Sequence, residues 1–176
     1  MVYIETSRLL LRDWKEEDFA PFAEMNADPA VMEFFLHPLS GEESRNLFDT
    51  VRNEFLRYGY GGYAVERKSD GAFVGFTGFH RFSFDVDFAP GVEILWRLRQ
   101  EYWGQGYATE AAKACLAYAG ESLPFSTVWA FTSLPNKRSQ RVMQKIGMRL
   151  EKNFMHPSVP DGHPLKEHVL YKILLQ

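Results

Sequence analysis

Residues Glu101 to Tyr118 read EYWGQGYATEAAKACLAY. Two glycines, Gly104 and Gly106, stand one residue apart just before a segment of strong helical character. Ala108, Ala111, Ala112, Cys115, Leu116 and Ala119 recur at spacings of three and four. That defines one helical face built mostly of small residues, and such a face lies close to a sheet. The first backbone N–H groups of a helix lack internal partners, and its dipole is positive there. Glycines at this point let phosphate oxygens reach those donors; the competing reading is a plain strand-to-helix turn. The stretch lacks the third glycine of G-x-G-x-x-G, and the chain contains no G-x-x-x-x-G-K-[ST]. A dinucleotide loop is therefore disfavoured and a Walker-type loop excluded.

Outward from this stretch, Val92–Leu98 reads as the strand feeding the loop, with the helix over Thr109–Gly120. Upstream, Tyr3–Arg12 reads as one strand, and Glu16–Asn26 as a helix that tolerates Pro21, continued by Pro29–Phe35. Ser40 with Glu43 three residues on gives a capping box opening a helix to Tyr58, ended by Gly61 and Gly62. Tyr63–Lys68 and Ala72–Phe82 form a hairpin around Ser-Asp-Gly. Downstream, Ser126–Thr132 is a strand and Asn136–Ile146 a helix stopped by Gly147. Met148–Met155 and Glu167–Leu175 are two closing strands. Three consecutive strands predict antiparallel pairing, and the later strand–helix–strand unit a parallel crossover. The expectation is α/β: a mixed central sheet of about seven strands flanked by about four helices, in one domain over residues 1–176.

The chain is 176 residues long, 45% apolar and 15% aromatic, enough for one substantial core. A net charge of −3 provides no global field for nucleic acid or acidic membrane, so an anionic ligand must be held by local groups. One cysteine, Cys115, precludes an internal disulfide and fits a reducing compartment. Charges at Glu5, Arg8 and Arg12 interrupt any signal-peptide core, and no apolar run reaches membrane-spanning length. The expected location is cytoplasmic.

The glycine stretch resembles the acetyl-coenzyme A motif of the GNAT N-acetyltransferases. The family form [Gln/Arg]-x-x-Gly-x-[Gly/Ala] maps onto Trp103, Gly104, Gln105, Gly106, Tyr107 and Ala108, with Trp103 departing at the first position. The RimJ/RimL-type branch, in which Tyr-Trp-Gly-x-Gly-Tyr-Ala-Thr-Glu-Ala recurs nearly as written, shares that departure. A second block, Pro135 to Met148, resembles the family's other signature, with Asn136 as the asparagine near the cofactor's pantetheine or sulfur. The opening Glu-Thr-Ser-Arg-Leu-Leu-Leu-Arg resembles the first strand of the same branch.

The resemblance implies a single GNAT domain that moves an acetyl group from acetyl-coenzyme A to an amine, either a peptide N-terminus or a small molecule. It implies that backbone near Leu98 pairs with the pantetheine arm, that Trp103 to Thr109 hold the diphosphate, and that the gap between strands Val92–Leu98 and Ser126–Thr132 admits the cofactor. Many relatives use a tyrosine as the thiolate's acid, but Met143 stands in its place here. Ser139, one helical turn after Asn136, is the alternative candidate for that role and for cofactor contact. Glu93 and His156 are the candidate bases. Met143 also keeps open a non-catalytic acyl-coenzyme A sensor on the same fold. An unrelated scaffold with a plain turn is the remaining reading.

Lys137, Arg138, Arg141 and Lys145 read as a solvated face or as phosphate contacts. His156, His163 and His168 match no zinc spacing, and the prolines among them favour a turn-rich connector, so no metal is expected. Trp14, Phe34, Phe35, Phe82, Phe84 and Phe88 are candidates for the acceptor cleft, with Asp85 and Asp87 as attractors of a cationic amine. The sequence does not choose the acceptor, and it leaves a homodimer open.

Overall fold

The computed structural model describes residues 1–176. Eight strands form one sheet: β1 (Val2–Glu5), β2 (Leu9–Arg12), β3 (Gly62–Arg67), β4 (Phe73–Phe82), β5 (Gly91–Leu98), β6 (Thr127–Ser133), β7 (Arg149–Met155) and β8 (Glu167–Leu174). Their spatial order is β1-β2-β3-β4-β5-β6-β8-β7. Every neighbouring pair is antiparallel except β5 and β6. Four helices accompany it: α1 (Phe19–Ala27), α2 (Gly41–Tyr58), α3 (Tyr107–Ser122) and α4 (Lys137–Lys145). The parallel β5–β6 step is bridged by α3, because strands running the same way need a long crossover.

Three expectations need correction. The stretch Tyr3–Arg12 is not one strand but the hairpin of β1 and β2, which raises the count from seven to eight. Thr6 is the reason: its N–H donates to the Leu9 carbonyl at 3.0 Å and its hydroxyl accepts from the Leu9 N–H at 2.9 Å, closing a tight turn. Pro29–Phe35 does not continue α1; it is a series of turns. The α2 helix ends at Tyr58 as expected, but its stop is Gly59 rather than Gly61 and Gly62: Gly59 takes the left-handed φ of 74° and donates its N–H to the Phe55 carbonyl.

Other local signals hold. Ser40 and Glu43 form the capping box of α2 in both directions. Gly147, at φ 90°, closes α4 by a Schellman pattern: its N–H reaches Gln144 and the Met148 N–H reaches Met143.

The sheet buries both faces. On one side, α3 lays Ala111, Ala112, Cys115 and Ala119 against it with no exposed surface. Alternate residues of β5, Val92, Ile94 and Leu98, face this layer. On the other side, α1 and α2 cover Trp14, Phe22, Phe48, Phe73 and Phe76, with the Trp14–Phe22 and Trp14–Phe48 rings edge to face. A buried ion pair ties α1's approach to β2: Arg12 grips Asp18 through two bonds of 2.8 and 2.9 Å and reaches Glu66 at 2.6 Å.

Candidate active site

The loop between β5 and α3 carries the two glycines. Gly104 and Gly106 have φ values of 71° and 81°, in the left-handed region that disfavours other residues. A Cβ at Gly104 would meet nothing within 4 Å, so the backbone there is both turned and bare. Gly106 is the N-cap of α3 and supplies no side-chain cap, which leaves the first-turn N–H groups free for an outside acceptor. Arg8 and Glu110 fasten the loop. Glu110 accepts from the Thr6 and Ser7 hydroxyls and from the Arg8 backbone and Nε, and Arg8 Nη1 donates to the Gln105 carbonyl at 2.9 Å. Burial works against ionisation of Glu110, but these bonds overcome it and hold its pKa below the ordinary value.

Beside the loop the sheet opens. The register of β5 and β6 contains one pair, Glu93 with Trp129. The Arg99 N–H donates to the Val74 carbonyl, so the alternating β4–β5 ladder turns the polar backbone groups of Trp96 and Leu98 toward β6. Past Trp129, β6 continues without pairing to them. Trp103 Nε1 takes the Leu98 carbonyl at 3.0 Å. The Trp96 and Leu98 N–H groups are left directed at the gap.

This gap is part of a cavity of about 800 Å³ that runs from the loop to the opposite face of the sheet. Of the residues expected to hold a cofactor, Leu98, Trp103, Gly104, Gly106, Tyr107, Ala108, Thr109, Asn136 and Ser139 line it. Gln105 does not; its side chain turns back to the Glu101 carbonyl. Asn136 is held in place by capping the Ser139 N–H at 3.2 Å and donating to Thr132 Oγ1 at 2.9 Å. The Ser139 hydroxyl has no protein partner in the cavity wall it shares with the buried Met143. Arg138, Arg141 and Lys145 line the cavity and Lys137 does not. Arg138 crosses its mouth, stacking 4.2 Å above the Trp103 ring and pairing with Glu33 at 3.1 Å.

On the far side the cavity is walled by Phe34, Phe35, Phe76, Leu95 and Phe131, with Glu93, Arg97, His156 and His168. Phe34 and Phe35, two of the candidates for the acceptor cleft, thus line the cavity. Trp14 instead belongs to the core under α1 and α2. Phe82, Phe84 and Phe88 pack behind Phe131, and Asp87 pairs with Lys152.

The titratable groups differ in character. Glu93 keeps part of its surface open to the cavity, yet protein encloses its carboxyl closely. Desolvation pushes its pKa up to about 7, with attraction from His80 opposing and repulsion from Glu54 adding. His80 donates Nδ1–H to Glu54 and is shifted upward by that bond. His156 and His168 are shifted downward by burial, His168 to about 4. The His156 Nδ1 accepts the Ser158 N–H at 3.1 Å, so in the neutral ring Nε2 carries the proton and has no lone pair to offer. His168 is the reverse: Nδ1 faces the Lys166 carbonyl at 3.1 Å, which leaves Nε2 the acceptor. No group of three His, Cys, Asp or Glu residues is arranged to hold a metal. Cys115 is fully buried, its thiol shifted well above the ordinary value by desolvation.

Arg8, Glu110 and Arg97 are absent from the sequence-derived candidates. Glu110 lies inside the motif, but the partners that reveal its role come from more than a hundred positions away.

Residues 8–149 match the model of the acetyltransferase (GNAT) domain family. The chain is 28% identical over 173 residues to a Bacillus subtilis protein named as an uncharacterized N-acetyltransferase, YnaD, covering 98% of this chain and 97% of that one. It is 31% identical over 148 residues to YkkB of the same species, covering 84% and 85%. The crystal structure of a GNAT-family acetyltransferase from Bacillus anthracis superposes with a TM-score of 0.81 at 29% identity, covering 99% of this chain and 98% of that chain. With a family model spanning most of its length, a motif-bearing loop and a sheet that parts between β5 and β6, this chain belongs to the GNAT acetyltransferase family.

Proposed function

We propose that the protein is an N-acetyltransferase that binds acetyl-coenzyme A across the loop and the gap, and passes the acetyl group directly to an amine. The observation that carries the reading is the gap itself: a parallel strand pair joined at one register position, with free N–H groups beyond it, next to a helix start made bare by two glycines. Acetyl-coenzyme A, when bound, supplies the activated acyl group as a thioester.

The residues of this chain then have separate tasks. The N–H groups from Gly106 into α3 take the diphosphate, with Arg141 and Lys145 near enough to the cavity to add charge. The Trp96 and Leu98 N–H groups hold the pantetheine amides or polarise the acyl carbonyl, in the way an oxyanion hole does. Asn136, locked by Thr132 and Ser139, borders the thioester end. Ser139 is the group offered to the departing sulfur, since Met143 has no proton to give.

An amine acceptor must be neutral to attack. Glu93 is the base of this proposal, through water, because a carboxyl titrating near neutrality can accept a proton and release it. His156 is demoted from that role, since its free nitrogen bears hydrogen. It serves the cavity wall as a donor. The Rim-type branch, one globular domain over the whole chain and a cytoplasmic setting belong to the same proposal.

The test is calorimetric titration of coenzyme A together with thiol release from acetyl-coenzyme A over an amine panel. Saturable binding and amine-dependent release are expected. Absence of binding to the intact protein overturns the reading.

A further inference from the structure

Arg97 has no charge partner. It lies on the same face of β5 as Glu93 and Leu95, opposite the α3 layer, and lines the cavity on its acceptor side. Protein surrounds it almost completely, and its remaining exposure is toward the cavities it lines. Nη1 donates to Asn26 Oδ1 at 2.7 Å, a neutral acceptor. Nε is buried with no acceptor at all. No carboxylate pairs with the guanidinium; the rings of Phe35 and Phe76, 4.5 and 5.4 Å away, offer the only other compensation.

A cation largely enclosed by protein and without an anion is unfavourable, since the water it gives up is not replaced by an opposite charge. Elsewhere in this chain the rule is obeyed, for the buried Arg12 has both Asp18 and Glu66. Desolvation lowers the pKa of Arg97 to about 10, and it is still charged at neutral pH. The cofactor's phosphates do not explain it, because the diphosphate loop adjoins α3 on the other side of the sheet. An anion arriving with the second substrate does.

We propose that Arg97 is a specificity-determining residue of the acceptor site, and that the acceptor is an amine whose own molecule carries a carboxylate. This rests on the acetyl-transfer reading above. Glu93 and Arg97, four residues apart on one strand face, place opposite charges about 13 Å apart at their Cα atoms, with Leu95 between. A molecule lying along β5 meets a proton acceptor at one end and a guanidinium at the other, flanked by Phe34, Phe35 and Phe131. The guanidinium fork matches a carboxylate in two bonds, which a carboxamide cannot reproduce.

Matched pairs test this: phenylalanine, 4-aminobutyrate and a Phe-Gly dipeptide, each against its C-terminal carboxamide, with thiol release from acetyl-coenzyme A as the readout. The three acids also separate free α-amino acids, ω-amino acids and peptides as sources of the carboxylate. The expected result is a preference of roughly 30-fold or more in kcat/KM for the acid of at least one pair, carried mainly by KM. That preference is expected to collapse toward one in Arg97→Gln.

Carboxamides turned over as well as acids throughout, or a preference that persists in Arg97→Gln, overturns the assignment. The wild-type comparison needs no variant and is unaffected if Arg97→Gln folds poorly. Equilibrium binding of the same pairs to the coenzyme A-bound protein is run alongside. Acid-selective binding that Arg97→Gln abolishes, with no thiol release, keeps the Arg97 assignment and rejects transfer. Thiol release without acid preference does the opposite.

Discussion

Glu93 on β5 lies opposite Trp129 on β6, and this is the single register position at which the two parallel strands pair. One residue therefore marks both the hinge of the opened sheet and the acid–base candidate beside it. Past this point β5 turns to the loop and β6 runs on to α4, with the cavity between. In the proposed mechanism this placement would bring amine and thioester together where the strands begin to part.

Glu93→Gln is expected to lower kcat/KM about 100-fold or more, with coenzyme A affinity retained. In the wild type the rate should fall on the acid side of about pH 7 as the carboxylate is protonated, and that limb should vanish in the variant. Stability has its own sign. The folded-state pKa is raised from 4.5 to about 7, so the folded state holds the proton more tightly. Stability due to this group therefore declines as pH rises between those values. Urea midpoints at pH 5 and pH 8 should show the slope reduced in Glu93→Gln.

Gly104→Ala should cost about 1–2 kcal/mol through φ alone, since no atom stands in the way of the new Cβ. That corresponds to a fall of about 2–8 °C in Tm at this chain length. Coenzyme A affinity should drop by more than the melting curve predicts, because the methyl group sits on the bare backbone. Titration calorimetry against thermal melts separates the two effects.

Glu110→Gln should loosen the loop from the β1–β2 hairpin and destabilise by about 1–3 kcal/mol. The group's pKa is lowered in the folded state, so its contribution is present above the ordinary carboxylate range and lost as pH falls through the folded value. The difference between wild type and variant should therefore shrink on acidification, as read from denaturant midpoints.

Ser139→Ala should reduce kcat while leaving coenzyme A binding within about threefold, if its hydroxyl serves the leaving sulfur. Equal losses in kcat and in coenzyme A affinity would assign it to ground-state contact instead. Pre-steady-state thiol release distinguishes these.

Arg12→Leu should destabilise by about 3–5 kcal/mol, since it leaves Asp18 buried and unpaired. Chemical denaturation is the measure. Combining it with Asp18→Leu should recover part of the loss.

Local grammar was readable wherever neighbours in the chain decide the outcome. The Ser40–Glu43 box, the Gly147 stop and the small-residue face of α3 all act within a few residues. The hairpin hidden in Tyr3–Arg12 is not legible in the sequence because apolar residues on both sides of Thr6, Val2 to Ile4 and Leu9 to Leu11, blur the alternation, and the turn depends on Thr6 bonding to Leu9. Pro29–Phe35 misled for the opposite reason. Its aromatic residues suit a helix face, but Phe34 and Phe35 are spent on the cavity wall.

From sequence alone came the loop, the asparagine at the head of α4, the missing tyrosine at Met143 and the family they suggest, because these sit in contiguous motifs. Only the folded chain decided which groups share the cavity. Arg8 meets Gln105, Glu93 lies near His80 and Glu54, and Arg97 goes unpaired because strands far apart in sequence are registered side by side. Charge and desolvation depend on that three-dimensional neighbourhood, which no linear spacing encodes.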